Sequence, residues 1–242
     1  MARLIPGLLA ATLMISGCVG PLPAPHPLPA PVPLGVAGGG PVDGSAAARN
    51  FVAVVTRMEP IVEQECRLRS PQLNCDFLIV VDDRPGQPPN AFQTRDRSGR
   101  PVVAFTLPLI AGAQNQDELA FIMGHEASHH IMGHLDRTRE SALTGALILG
   151  TLASTGGGGD GAVSQARQIG ATVGARRYSQ DFELEADRLG TEITFDAGFD
   201  PGRGALFFDR LPDPGNTFLG THPPNAERAQ IVQQTLARLR GF

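Results

Sequence analysis

Residues 125–129 read His125-Glu126-Ala127-Ser128-His129, inside the run from Asn115 to Met132. On an α-helix, positions i and i+4 stand one above the other on a single face. Two imidazoles at that spacing can grip one metal ion. Glu126, between them, lies beside the open coordination position, where it can take a proton from an attacking water. With 6 His in 242 residues, an accidental match has a chance of about 0.6 %. The flanks also fit a helix. Asn115 and Glu118 make a capping box just before Leu119, Phe121 and Ile122, and Ile131 and Met132 continue the apolar pattern. A helix of about 20 residues is predicted; a solvated helix with incidental histidines would explain none of this context.

Zinc in a catalytic site takes three protein ligands and keeps one position for water. A third histidine on the pattern His-Glu-x-x-His-x-x-Gly-x-x-His would need Gly at 132 and His at 135, where the chain has Met132 and Leu135; Gly133-His134 is out of register. A later acidic word, Glu183-Leu184-Glu185-Ala186-Asp187, offers the alternative. Glu183 and Asp187 share a helix face, and Glu185 points about 160° from it. Glu183 could close the site. Asp187, one turn on, could accept the free ring N–H of a ligating histidine and set its tautomer. Taken alone, these five residues also read as a solvated acidic face. His130 and His134 lie off the ligand face, at about 100° and 140° from His129, as supporting or surface groups.

The chain is long enough for one well-cored domain. Its net charge is −4 without a basic cluster, so nucleic acid is not an expected partner. Trp is absent and aromatics make up 5 %, which argues against a stacking platform for sugars or bases. All 20 basic residues are Arg, a matter of codon bias rather than function.

Arg3 and the short apolar run Leu4–Ile15 read as a targeting segment ending in small residues before Cys18, too short to span a bilayer. Ile15-Ser16-Gly17-Cys18 resembles the bacterial lipoprotein lipobox, whose cysteine is lipidated and becomes the first mature residue. The alternative is an ordinary cleaved signal peptide. Val19 stands where Asp is associated with inner-membrane retention, so lipoprotein sorting implies the periplasmic face of a Gram-negative outer membrane. Residues 1–17 are thus expected to be a signal peptide, and 18–44 a lipidated Cys with a Pro/Gly-rich, extended tether. Residues 45–242 are expected to form the folded domain. Outside the cytoplasm, Cys66 and Cys75 read as a disulfide closing a short loop; two inert buried thiols are the alternative.

Within the domain, Phe51, Val54, Val55, Met58 and Val62 predict a helix near Pro60, and Phe77–Val81 a strand. Ala91–Thr94 and Val102–Thr106, around Asp96-Arg97-Ser98-Gly99, predict a hairpin. After the motif helix, Ala142–Ala153 reads by default as a core helix, with a mobile flap as the alternative. Helices follow near 163–177, 180–195, 201–211 and 224–239.

Taken with Glu183-x-x-x-Asp187, the histidine word resembles the HtpX-like and CAAX-prenyl-endopeptidase type of zinc metallopeptidase, a gluzincin family. Asn90-Ala91-Phe92, His134, Ala186-Asp187-Arg188-Leu189-Gly190, Ala197-Gly198-Phe199-Asp200-Pro201 and His222-Pro223 with Arg228 match in order over about residues 50–240. With the lipobox, and with no internal repeat, the chain resembles the family's small outer-membrane lipoprotein branch. The resemblance implies an α+β, mainly α-helical gluzincin-type domain with a small antiparallel sheet. It implies one Zn²⁺ per chain on His125, His129 and Glu183, with Asp187 behind a ligand and Glu126 as base. Substrate would add as a β-strand near Asn90. His222, otherwise readable as a solvated loop residue, would face the metal: it would either stabilise the oxyanion of the tetrahedral intermediate or occupy the fourth zinc position in a resting enzyme. The implied activity is a metalloendopeptidase acting on misfolded or misassembled envelope proteins. A non-catalytic holdase or assembly adaptor with a structural metal, and an amidase acting on cell-wall peptides, are the rivals. Retention of Glu126 argues against the first, because a structural site has no use for that base.

Overall fold

The apolar period of residues 51–62 extends in both directions into one long helix, α1 (Gly44–Arg69), which buries Phe51, Val54, Met58, Val62 and Cys66 and contains Pro60. The computed structural model describes residues 44–177, 179–211 and 223–241. The expected signal peptide, Cys18, nearly all of the tether and His222 lie outside them.

Three strands follow α1: β1 (Leu78–Asp82), β2 (Ala91–Arg95) and β3 (Pro101–Thr106), in the order β1-β3-β2. The β2–β3 hairpin is antiparallel, with Gln93 opposite Val103. Asp96 closes its turn by accepting from the N–H groups of Ser98 and Arg100, and Gly99 takes the left-handed conformation (φ +85°) that the turn requires. β1 pairs with β3 in parallel, so the sheet is mixed rather than antiparallel throughout. Its reason lies in residues 83–90, where Pro85, Pro88 and Pro89 carry the chain across the sheet instead of through a tight turn.

After a short α2 (Leu107–Gly112) comes α3 (Gln116–Ile131), at 16 residues shorter than the pattern suggests. The Asn115 side chain accepts the Glu118 N–H. The Glu118 carboxylate reaches back to the Gln114 N–H, one residue before the cap, and is clasped by Arg210 at 2.8 and 2.5 Å. α3 stops because Gly133 turns left-handed (φ +67°) and starts α4 (His134–Thr155) in a new direction. α5 (Asp160–Arg177), α6 (Ser179–Asp196), α7 (Pro201–Gly204), a 3-10 turn (Ala205–Arg210) and α8 (Asn225–Leu239) complete the order. The single helix expected at 201–211 is thus split in two.

The core lies between α1, β3, α3 and α6, where Met58, Val62, Phe77, Val103, Phe105, Leu119, Met123 and Ile193 are buried. At the centre α3 and α6 meet backbone to backbone. A Cβ on Gly124 would stand 2.8 Å from the Gly190 carbonyl oxygen, and one on Gly190 2.8 Å from the His125 nitrogen. Two glycines thus let the helix of the histidine word approach the helix of the acidic word. Gly190→Ala is expected to destabilise the fold by about 1–3 kcal/mol through overpacking. The loss should appear in a urea midpoint, and a variant as stable as the parent would show that the helices can part without cost.

α4 and α5 form a hairpin packed mainly on itself. Its inner face is glycine: a Cβ on Gly145 would lie 2.0 Å from the Gly170 oxygen. Leu143, Leu147, Ile148 and Leu152 point to solvent, Leu147 being 70 % exposed. The default reading of Ala142–Ala153 as a core helix is therefore corrected. Small residues occupy the contact, so the large apolar ones are turned outward. No helix among the described residues is long and apolar enough to cross a membrane.

The sulfurs of Cys66 and Cys75 are bonded, with Cα atoms 5.6 Å apart. The loop they close braces the end of α3: Ser70 Oγ donates to the Ile131 carbonyl, and the Asn74 carbonyl lies 2.8 Å from His130 Nε2.

Candidate metal centre

α3 carries His125 and His129 one turn apart, and their Nε2 atoms lie 3.1 Å from each other. α6 brings in Glu183, with Oε2 3.4 Å from His125 Nε2 and Oε1 3.4 Å from His129 Nε2. Metal–ligand bonds of about 2.0–2.1 Å in tetrahedral geometry require donor–donor edges of about 3.3 Å. The three observed edges fit that figure, so these residues could hold one ion. The acidic word is therefore not a solvated face: Glu183 closes on the histidines, and Asp187 is fully buried.

The Nδ1 atoms of the two rings meet other groups. His125 Nδ1 is 2.8 Å from Asp187 Oδ1, and His129 Nδ1 is 2.8 Å from His134 Nδ1. With a proton on each Nδ1, both Nε2 atoms present lone pairs toward each other and toward a carboxylate. Such a cluster attracts a positive charge. Burial depresses the His125 pKa, but the hydrogen bond and charge of Asp187, then those of Glu183, outweigh it and raise the value to about 10. Burial lowers that of His129 to about 3, with the neighbouring His125 adding to the effect and Glu183 opposing it. A cation entering between the rings replaces the proton that His125 otherwise keeps.

Asp187 is itself held. Arg228, from α8, donates to it through Nε at 2.8 Å and Nη2 at 2.7 Å, and Nη2 lies 3.5 Å from Glu183. The guanidinium sits 4.2 Å above the Phe208 ring. Burial pushes the Asp187 carboxyl up, yet the charge and hydrogen bonds of Arg228, joined by His125, leave it below the usual carboxylate range. Sequence reasoning placed Arg228 among the matching fragments but gave it no role. A signal existed: it shares the buried stripe of α8 with Val232, Thr235 and Leu236, where an arginine needs a buried partner. Arg228→Ala would leave Asp187 buried without its main counter-charge, so a loss of about 3–5 kcal/mol is expected. Denaturant unfolding checks this; a loss below about 1 kcal/mol would mean that His125 alone compensates Asp187.

Glu126, on the same helix as the two histidines, lies within reach of the charges of His125, Glu183 and Arg228 and accepts the backbone N–H of Gln93 on β2. Burial pushes its pKa up to about 7, aided by the charge of Glu183 and opposed by His125, Arg228 and the Gln93 bond. A carboxylate tuned to neutrality suits a group that both takes and returns a proton. Among the described residues β2 is an edge strand of the sheet, and its outer side lies beside Glu126. The bonds Thr106 N–H to Asn90 O and Asp96 N–H to Arg100 O set the ladder's alternation, which leaves the backbone groups of Ala91, Gln93 and Arg95 facing outward.

Glu185 leaves the shared face of Glu183 and Asp187, as its angle predicts. It lies 3.1 Å from His134 Nε2 and is bonded by Arg137 at 2.6 Å. His130 is turned away, edge-on to Phe77 at 5.3 Å.

Residues 53–236 match the model of Peptidase family M48. Among curated proteins, the chain is 35% identical over 108 residues to the beta-barrel assembly-enhancing protease of Yersinia pestis, covering 41% of this chain and 22% of that protein. It is 32% identical over 147 residues to the Escherichia coli (strain K12) protein of the same name, covering 53% and 29%. It is 28% identical over 127 residues to the Metalloprotease LoiP of Escherichia coli (strain K12), covering half of each. The chain thus spans half or less of the length of these curated relatives.

Proposed function

The chain belongs to peptidase family M48, and from that membership and the three converging donors we propose that it is a zinc-dependent endopeptidase of the cell envelope. The observation that carries the reading is the triangle of His125, His129 and Glu183, with edges of 3.1, 3.4 and 3.4 Å. Zn²⁺ bound there supplies a Lewis acid that polarises the scissile carbonyl and acidifies water. His125 and His129 bind through Nε2, their tautomers set by acceptors at Nδ1. Glu126 takes the proton of the attacking water and passes it to the leaving amine. The outward backbone groups of Ala91 and Arg95, with the Gln93 carbonyl, hold an extended substrate as an added strand, which lays its backbone alongside Glu126. His222 completes the reading either as oxyanion stabiliser or as a fourth ligand at rest.

Strand addition demands an unfolded segment, so misfolded or misassembled envelope polypeptides are the substrates that fit. The names of the beta-barrel assembly-enhancing relatives agree with this. A lipid anchor at Cys18 would hold the domain at the periplasmic face of the outer membrane.

The test uses the full chain. One zinc per chain by metal analysis is expected, together with digestion of casein or denatured porin that a chelator stops and zinc restores. Zinc-loaded protein that leaves both substrates intact would turn the reading toward a holdase; cleavage of peptidoglycan fragments instead would make it an amidase.

A further inference from the structure

The two histidines of the candidate ligand set are supported differently. His125 meets a carboxylate directly, Asp187 at 2.8 Å. His129 meets a second imidazole, His134 at 2.8 Å, and only the far nitrogen of that ring meets a carboxylate, Glu185 at 3.1 Å. Ligating histidines ordinarily give their second N–H to a carboxylate, carbonyl or water, so an interposed histidine is a departure that calls for a role.

Only one arrangement of protons satisfies this chain while leaving His129 Nε2 free to ligate. His129 Nδ1–H donates to His134 Nδ1, and His134 Nε2–H donates to the Glu185 carboxylate. The links are rigid. His134 is 3 % exposed and lies flat on the Phe182 ring, with centroids 4.6 Å apart and planes within 10°. Arg137 bonds Glu185 at 2.6 Å and stacks over the same ring at 4.2 Å. Phe182 directly precedes Glu183, so one cluster fixes both the acceptor behind His129 and the start of the α6 ligand face. His134 and Arg137 belong to the first turn of α4, beyond the left-handed Gly133. The orientation of a ligand on α3 therefore depends on how α4 departs from it.

We propose that His134 and Glu185 are positioning residues for His129, holding its ring with Nε2 toward the metal through a two-step hydrogen-bond chain and thereby strengthening zinc binding. The inference rests on the zinc reading above. Neither residue touches substrate in this role; both act through His129.

Zinc affinity, measured by competition with a chromophoric chelator, separates positioning from packing. His134→Phe keeps the ring on Phe182 and removes the acceptor. His134→Asn keeps an acceptor oxygen and removes the ring. Glu185→Gln keeps the shape at a half-buried site and removes the charge, and it is the variant least exposed to folding failure. The expected result is zinc bound about 10–100-fold more weakly by His134→Phe, recovery of most of that loss in His134→Asn, and a smaller loss in Glu185→Gln. Thermal midpoints should rank the two His134 variants the other way, because the ring rather than the acceptor supplies the packing. Wild-type affinity in both His134→Phe and Glu185→Gln, or affinities that simply follow the thermal midpoints, would overturn the proposal. A wild-type chain that binds no zinc would overturn the metal reading itself, and zinc indifferent to Glu183→Ala would overturn its third ligand, both distinguishable results.

Discussion

Glu126→Gln is expected to lower peptide-bond cleavage by about 10²–10⁴-fold while one zinc per chain stays bound. Glutamine has the shape of glutamate but cannot accept a proton from water at neutral pH. Glu126 is not among the three converging donors, so the ion should not notice the change. Its carboxylate is turned toward Gln93 on β2, and an amide oxygen can take over that backbone bond. Folding should therefore survive. Zinc content by metal analysis and initial rates on denatured protein are the two readouts. Undiminished cleavage with zinc in place would remove Glu126 from the mechanism and leave the deprotonation of water to another group.

Glu183→Ala is expected to weaken zinc binding by more than about 100-fold, above the range seen when only an outer partner is lost, and to bring cleavage to background. Two imidazoles at 3.1 Å would then face each other without the anion that closes the triangle. The fold should persist, because α6 is held by Phe182, Ala186, Leu189 and Ile193 and by its glycine contact with α3. Zinc retained after dialysis, alongside an unchanged circular dichroism spectrum, is the measurement. Full retention would mean that the third donor is another residue, with His222 the first to try.

Much of this site was legible in the chain. Spacing of four on a helix is a local property, so the sequence alone places His125 and His129, and separately Glu183 and Asp187, on common faces. The hairpin around Asp96–Gly99 was legible for a similar reason, since turn chemistry acts over a few residues. α4 was misread because apolarity reports what a helix tends to bury, not whether a neighbour covers it. Glycines at 145 and 170 draw α5 against its narrow side and leave the leucines outside. The parallel placement of β1 was likewise invisible, since nothing in five residues of strand says which neighbour they will choose.

The chain by itself determined which atoms could ligate and which carboxylate could serve as base, because helical periodicity orders side chains over one or two turns. Only the tertiary structure decided that Glu183, 54 positions beyond His129, reaches the same point in space. It also decided that Arg228 lies behind Asp187 and that His134 with Glu185 stands behind His129. The physical reason is that these contacts join separate helices. Their distances follow from the packing of α3 on α6 through Gly124 and Gly190, and from the turn at Gly133. Those are properties of the assembled core rather than of any local stretch.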